Sequence, residues 1–576
     1  MTSVSIIDMA VINEFKKDHR IIDLVTKCGD KSVGFLSLNS EMHYNGIGGL
    51  QLEITPTNST ISENNNENKR LLGVIYGIGM NVNNILGAGI FTTPGIVWKN
   101  VKSPYIVLGL WLIGGIVSLF GSLIYTEYGA IHKDSGGETI YLATAYPKPY
   151  LMFSYLFSFM FIFVIRPGII CAVLQSAAQY TWYLFNDVPF AESSNCNLTE
   201  INRFNPNWII KLTAIGLLFL ITGYHLLSNK WANKINHTLA IIKTILLVVI
   251  AFGGISRYKN TNNWTTPPEG EMFKFTSYSI AIISVLFSYN GWNNLNYSLD
   301  EFRNPEERLK KSNIYSVGIV TFLYLMVNIA FITAVPLERI NNDIINETIA
   351  VDFFNIIFEG NTTGMKILSF CVVLSAIGTA ASSIWSGSRV IVTAAKSNFF
   401  PIFSPQLKSL NNKFNTPVTA LLAQLGWCTL IMLVVGSTAL IDNFILYTSV
   451  AMFCSWIFYV ITSLGLVILR RTSSTDLAYP FKVPLPIIYL FILFGFITLL
   501  LSFWGIDSNC PKLNLLFIII SFIFLIIGFL LWFGLFYWRH LEEQRKEDRI
   551  SEINEQVEIR LAAISESQNN RRTRTL

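Results

Sequence analysis

The stretch GAGIF, Gly87 to Phe91, interrupts a run from Leu71 to Trp98 that otherwise reads as one apolar helix. Hydrocarbon offers no hydrogen-bond partners, so a membrane span gives up helical bonds only where protein, ligand or trapped water replaces them. Two glycines one residue apart, Gly87 and Gly89, permit that unwinding and bring backbone close to whatever lies beside it. Close packing of a neighbouring helix is the competing explanation, because small residues allow that too.

The rest of the chain supports a membrane setting. Of 576 residues, 52% are hydrophobic and 14% charged, with a mean hydropathy of +0.46, whereas a soluble protein carries roughly a quarter charged residues. Apolar blocks fall at 71–98, 105–127, 150–185, 207–226, 232–255, 276–299, 313–335, 364–390, 417–437, 441–469, 484–505 and 513–538. They predict an all-α polytopic membrane protein with twelve transmembrane helices. Residues 1–70 read as a soluble, largely disordered tail: VSIIDMAVI is broken by Asp8 and followed by Lys16 and Lys17, unlike a signal peptide, and ISENNNENKR is polar and of low complexity. Residues 539–576 form a charged C-terminal tail. The net charge of +5 gathers at membrane edges, so it bears on topology and not on nucleic acid. The cysteines, mostly inside apolar runs, read as small buried hydrophobes.

An even span count puts both tails on one side. Cytoplasmic tails leave the inward loops richer in Lys and Arg and place the glycosylation sequons Asn197, Asn263, Asn346 and Asn361 outside. NST at Asn58 and NHT at Asn236 fall inside, as chance matches do in an asparagine-rich chain.

The sixth span repeats the oddity of the first. FSYNGWNNLNY, Phe287 to Tyr297, sets Asn290, Gly291, Asn293, Asn294 and Asn296 within an apolar segment. Spans one and six correspond in two five-span halves, and interrupted segments at matching positions of inverted repeats point to a transporter site at the bilayer midplane. Each break exposes N–H groups at the start of one half-helix and carbonyls at the end of the other, the first suited to an anion and the second to a cation. A free amino acid, a zwitterion, fits that polarity.

These residues resemble the amino acid, polyamine and organocation transporter superfamily, and within it the L-type amino acid transporters and the fungal high-affinity methionine permeases. The resemblance runs from Leu71 to Trp538. Its marks are GAGIF with Thr93 and Pro94, TEYGAIHKDSGGETIYL (Thr126 to Leu142), VIRPG (Val164 to Gly168), WANKINHTLAIIK (Trp231 to Lys243), FSYNGWNNLNYSLDEFRNP (Phe287 to Pro305), SGSRVIVTAAK (Ser386 to Lys396) and NTP (Asn415 to Pro417). YPKP at Tyr146 to Pro149 tilts toward the methionine-permease branch. The resemblance implies a LeuT-like 5+5 inverted repeat with helices 1 and 6 broken. It implies a substrate carboxylate held by unwound span one and an amino group held by carbonyls of spans one and six. The positions concerned are Ile85, Gly87, Ala88, Gly89 and Ile90, then Phe287, Ser288, Tyr289, Asn290 and Gly291, with Phe287 as an aromatic gate and Trp456 lining the pocket. Asn290 stands where many L-type transporters have a second glycine, which favours methionine or another moderate neutral side chain over tryptophan.

Lys243 lies deep in span five, where lysine is expensive, and at the position where the family replaces a sodium ion with an ammonium. It is expected to brace span one against span eight and to release its proton during the cycle. Arg166, equally deep in span three, reads either as a structural brace or as the partner of a carbonyl or carboxylate. Glu127 and the run Asp300, Glu301, Arg303, Glu306, Glu307 and Arg308 read as solvated loop charges, with inward-gate or loop ion pairs as the alternative. L-type transporters join a single-span glycoprotein through a cysteine in the loop after span three, where Cys196 lies. An internal disulfide with Cys510 competes, and the permease branch works without the heavy chain, which is the expected state here.

The expected function is secondary active transport of a neutral L-amino acid by alternating access, as proton symporter or exchanger, in the plasma membrane. A non-transporting amino acid sensor of the same fold is the alternative. No GxxxxGK[ST], HExxH or GxSxG occurs, so neither an ATP-driven pump nor an enzyme is favoured. No cofactor or metal is expected.

Overall fold

The chain divides into two units, Met1–Asn64 and Asn65–Leu576. The computed structural model describes residues 73–132, 134–186, 208–227, 229–255, 263–265, 275–301, 305–336, 349–359, 361–411, 416–435, 443–472, 481–503 and 511–539, with a few positions of the C-terminal segment. The N-terminal tail, Asn197, Asn346, Cys196 and Cys510 lie outside the described residues.

Among the described residues the fold is entirely helical. Helices α1 (Val74–Ile85) and α2 (Gly89–Val101) form one span bent by 47° at its break. Next come α3 (Pro104–Ile131), with proline at the start, where its missing N–H is harmless, and the short α4 (Glu138–Ala145). A long span follows as α5 (Met152–Met160), a π-turn (Phe161–Ile165) and α6 (Arg166–Asn186). Then come α7 (Trp208–Leu227), α8 (Asn229–Ile255) and α9 (Phe275–Ser288), which passes through a turn into a 3-10 segment (Asn294–Glu301). The order continues with α10 (Pro305–Ala334), α11 (Ile349–Ile357), α12 (Thr362–Lys396), the single turn α13 (Ser404–Leu407), α14 (Val418–Val434) and α15 (Asn443–Thr472). It closes with α16 (Leu485–Phe503), α17 (Pro511–Leu531) and a π-turn (Trp532–Tyr537).

Nine described helices, or ten with the bent pair, are long and apolar enough to cross a bilayer, and the shorter apolar Ser277–Ser288 and Val418–Val434 stand beside them. Burial separates centre from periphery. In the span Met152–Asn186, 89% of the most apolar window is covered by protein, against 28% in Leu516–Tyr537. A helix apolar on all sides and mostly uncovered faces lipid; the α5–α6 span is the core.

The first half-helix is anchored by its own asparagines. Asn81 Nδ2 donates to Ser316 Oγ at 2.7 Å on α10, and Asn83 Nδ2 to Ser382 Oγ at 2.7 Å on α12. Amide bonds across helices fix α1 where apolar packing alone specifies little. The break that follows is therefore held on two sides.

Glu127 is not a solvated loop charge. It lies buried at the end of α3, where Arg470 Nε donates to its Oε1 at 2.7 Å, Arg470 Nη2 to its Oε2, and the Val483 backbone N–H to its Oε2 at 2.7 Å. A buried carboxylate persists only with such partners. Its partner comes 343 residues later, so local sequence carries no sign of it. Glu307 is exposed and pairs with Lys311 one turn on; the side chains of Asp300, Glu301, Arg303 and Glu306 lie outside the described residues.

Candidate functional site

The first break spans Leu86 to Ala88. Its carbonyls are occupied from three directions. Lys243 Nζ donates to Asn83 O at 2.7 Å, to Leu86 O at 2.8 Å and to Thr379 Oγ1 at 2.8 Å. Thr379 Oγ1 in turn reaches Leu86 O at 3.0 Å, and Tyr324 Oη donates to Ile85 O at 2.9 Å. Lys243 is completely buried, and Gly378 makes room for it, since a Cβ there would stand 3.0 Å from Lys243 Cε. The donor side is different: no backbone carbonyl among the described residues accepts from the N–H groups of Gly87, Ala88, Gly89 or Ile90. Those are the orphan donors of a helix start, where anions are favoured.

The second break runs from Tyr289 to Asn293. Tyr289 N–H donates to Val285 O and Asn290 N–H to Phe287 O, and Gly291 adopts φ +107, a conformation that favours glycine. The breaks touch. A Cβ on Gly89 would sit 2.8 Å from Ser288 Cα, and Thr93 Oγ1 and Ser288 Oγ share a hydrogen bond of 2.6 Å. Tyr324 joins them, its hydroxyl reaching Ser288 O at 2.8 Å as well as Ile85 O.

Between the breaks lies a cavity of about 340 Å³, counting the space at its open side. The first break and its flanks contribute Asn84, Ile85, Gly87, Ala88 and Gly89. The second contributes Phe287, Ser288, Asn290, Gly291 and Asn294. Arg166, Ile169 and Val173 of α6 and Thr379 and Ser383 of α12 complete the wall. Phe287 is buried, edge-on to Phe444 at 5.6 Å, and Asn290 Nδ2 lies 3.5 Å from Met452 Sδ.

Three of the expected residues stand elsewhere. Ile90 is buried in α2 and is not part of the lining. Tyr289 turns away from the cavity into the protein interior, its hydroxyl donating to Trp111 O at 2.9 Å and its ring 4.9 Å from that of Tyr324. Trp456 packs against Phe491 and Phe494 of α16 instead of the cavity. Asn294, one of the polar residues that interrupt span six, lines the cavity as well, and Asn84, Ile169, Val173, Thr379 and Ser383 join it without having been expected from sequence. The polar pair Asn83–Asn84 inside an apolar span, and hydroxyls four residues apart at Thr379 and Ser383, were the available signals.

Beneath the second break, Glu138 is wholly buried, and its Oε1 accepts from Tyr125 Oη at 2.9 Å, Asn293 Nδ2 at 2.9 Å and Tyr297 Oη at 3.1 Å. Burial pushes its carboxyl above the ordinary range, although those donors pull the other way.

Of the described sequons, Asn361 is exposed and caps α12 through Oδ1, accepting from Thr363 N–H at 3.1 Å and Gly364 N–H at 3.4 Å, which leaves its nitrogen outside the cap. Asn263 differs: its Nδ2, the atom a glycan requires, donates to Ile332 O at 2.6 Å and Val335 O at 2.8 Å. Glycosylation there would break both bonds.

A family model described as amino acid permease matches residues 72–529. The b(0,+)-type amino acid transporter 1 of Mus musculus is 29% identical over 427 residues, 73% of this chain and 80% of that protein. The large neutral amino acids transporter small subunit 2 of Mus musculus is 27% identical over 481 residues, 82% of each chain. Both relatives are named as transporters, not enzymes. With four-fifths of its length matched and two opposed helix breaks enclosing a small cavity, this integral membrane protein belongs to the amino acid permease family.

Proposed function

We propose that the chain is a secondary transporter for a neutral L-amino acid, methionine or one of similar size, working by alternating access about the cavity between the two breaks. The observation that carries this reading is the run of N–H groups from Gly87 to Gly89 at the cavity wall, without a backbone acceptor among the described residues, opposite the second break. The substrate carboxylate sits on those donors. Its ammonium group sits at the carbonyls of Ile85 and Ser288, each of which keeps a second acceptor site beside Tyr324. Phe287 closes over it, and Asn290 borders the side-chain pocket.

The domain scheme is a cytoplasmic tail at 1–70, twelve spans over 71–538 and a cytoplasmic tail at 539–576. The bent α1–α2 pair and the short helices α9 and α14 supply the spans beyond the nine long ones, in a LeuT-like 5+5 repeat. Lys243 couples the carbonyl side of the first break to Thr379 on α12, and loss or gain of its proton would loosen or tighten that tie. The protein works as proton symporter or exchanger in the plasma membrane. Glycans are assigned to Asn197, Asn346 and Asn361. The relative named as a small subunit makes a covalent partner through Cys196 the second reading of its assembly.

Uptake of radiolabelled methionine by proteoliposomes, with a panel of unlabelled competitors and with or without a pH gradient, tests this function. Saturable uptake displaced by neutral amino acids is expected. Binding without flux would instead mark a sensor of the same fold.

A further inference from the structure

One charged side chain lines the cavity among the described residues, and the proposed grip on the substrate's backbone charges leaves it without a role. Arg166 starts α6 directly after the π-turn Phe161–Ile165, a local irregularity that shifts the helix phase and often accompanies function. Pro167 lacks an N–H, and the carbonyl four residues before it, that of Phe163, accepts instead from Trp427 Nε1 at 2.8 Å. Gly387 of α12 leaves room for the arginine stem, since a Cβ there would lie 3.0 Å from Arg166 Cγ. An irregular helix turn and a glycine on the facing helix thus flank one guanidinium at the cavity wall.

That guanidinium is buried yet thinly partnered. Nη2 donates to Asn294 Oδ1 at 3.0 Å, and the guanidinium carbon lies 4.5 Å from the Phe161 ring and 5.6 Å from the Tyr297 ring. Nε is buried without a hydrogen-bond partner among the described residues. Arg166 forms no ion pair among the described residues. Glu138 acts on it only at a distance, with no hydrogen bond or ion pair between them, and Tyr297, whose ring lies 5.6 Å from the guanidinium carbon, donates its hydroxyl to that carboxylate. None of the lining residues is acidic, and the other buried cation at the site, Lys243, lies just behind Thr379.

We propose that Arg166 sets the charge selectivity of the cavity, excluding amino acids with a cationic side chain and favouring neutral side chains that end in a hydrogen-bond acceptor. Arginine stays charged at any physiological pH. A second cation brought beside it, against a wall that holds no carboxylate of its own, meets repulsion. A carboxamide or thioether can accept from the guanidinium instead. Repulsion of the unwanted ligand is a recognised route to specificity. The inference rests on the cavity being the amino acid site.

Competition against labelled methionine uptake by the full-length protein in proteoliposomes tests it, using norleucine, glutamine and ornithine, three side chains of similar length that differ in charge and acceptor capacity. Norleucine and glutamine should displace methionine, glutamine the more strongly. Ornithine should be weaker than norleucine by at least about tenfold. In Arg166→Gln the ornithine-to-norleucine ratio should move toward unity, whereas Arg166→Lys should keep the exclusion. Should Arg166→Gln fail to fold, thermal-shift titrations of the purified wild type with the same three amino acids give the ratio independently. Ornithine competing as well as norleucine in the wild type, or a ratio unchanged by Arg166→Gln, would overturn the assignment. If no amino acid of the panel displaces methionine, or methionine itself is not taken up, the transport reading fails first and the filter with it.

Discussion

The two breaks have corresponding places in the chain and opposite polarity. At the first, the carbonyls of Asn83, Ile85 and Leu86 meet lysine, threonine or tyrosine donors, while the N–H groups from Gly87 to Ile90 have no backbone acceptor among the described residues. At the second, the N–H groups of Tyr289 and Asn290 are closed within the turn, and side-chain amides below it run down to Glu138. The first break therefore offers donors together with the Ile85 carbonyl, and the second offers the Ser288 carbonyl and shape. An interruption in a span does not specify a ligand; which half of its backbone is left unpaired does.

Removing the first break's support should have the largest effect. Lys243→Ala leaves the carbonyls of Asn83 and Leu86 buried with one hydroxyl between them, at about 1–3 kcal/mol per unsatisfied group, and uptake per reconstituted protein should fall by at least about tenfold. Unchanged uptake, with its pH dependence intact, would mean the break holds itself open. Gly291→Ala acts on the second break alone. It forces a side chain into φ +107 and to within 3.3 Å of the Asn84 backbone, strain of about 1–3 kcal/mol, visible as a lower melting temperature in detergent. Tyr324→Phe removes the hydroxyl common to both breaks and should weaken both by about 0.5–1.5 kcal/mol of lost hydrogen bonding. A change confined to stability, with transport unaltered, would show that coupling the breaks is not needed for flux.

The smallest effect is expected at Glu138. Because burial raises its carboxyl in the folded state, the folded protein holds that proton more tightly than the unfolded chain does. Its stabilising contribution is complete below the unfolded value of about 4.3 and declines as pH rises through the folded value. Glu138→Gln should flatten the melting temperature against pH over that interval. An equally steep profile in the variant would assign the slope to another group.

The first break and Lys243 were legible in sequence because each violates a strong local rule: glycines do not interrupt an apolar run, nor does a lysine enter one, without a reason that hydrocarbon demands. What remained hidden depended on rotation or on distance along the chain. Tyr289 follows the last helical residue, so the turn swings its ring toward Trp111, while Trp456 sits on a face of α15 that meets α16. Ser and Thr in α12 often bond carbonyls of their own preceding turn, as Ser386 does to Ser382 O, so Thr379 and Ser383 read as neutral helix residues. The partners of Glu127 and Glu138 come from remote segments, and no periodicity announces them.

The most direct measurement of the central claim separates the two charges of the substrate. Displacement of labelled methionine from the reconstituted protein would be compared for methionine, for its decarboxylated amine 3-(methylthio)propylamine, and for N-acetylmethionine, which keeps the carboxylate and loses the ammonium. If donors at Gly87–Gly89 and acceptors at Ile85 and Ser288 each hold one charge, only the intact zwitterion displaces the label well. Equal displacement by either single-charge analogue would contradict the account.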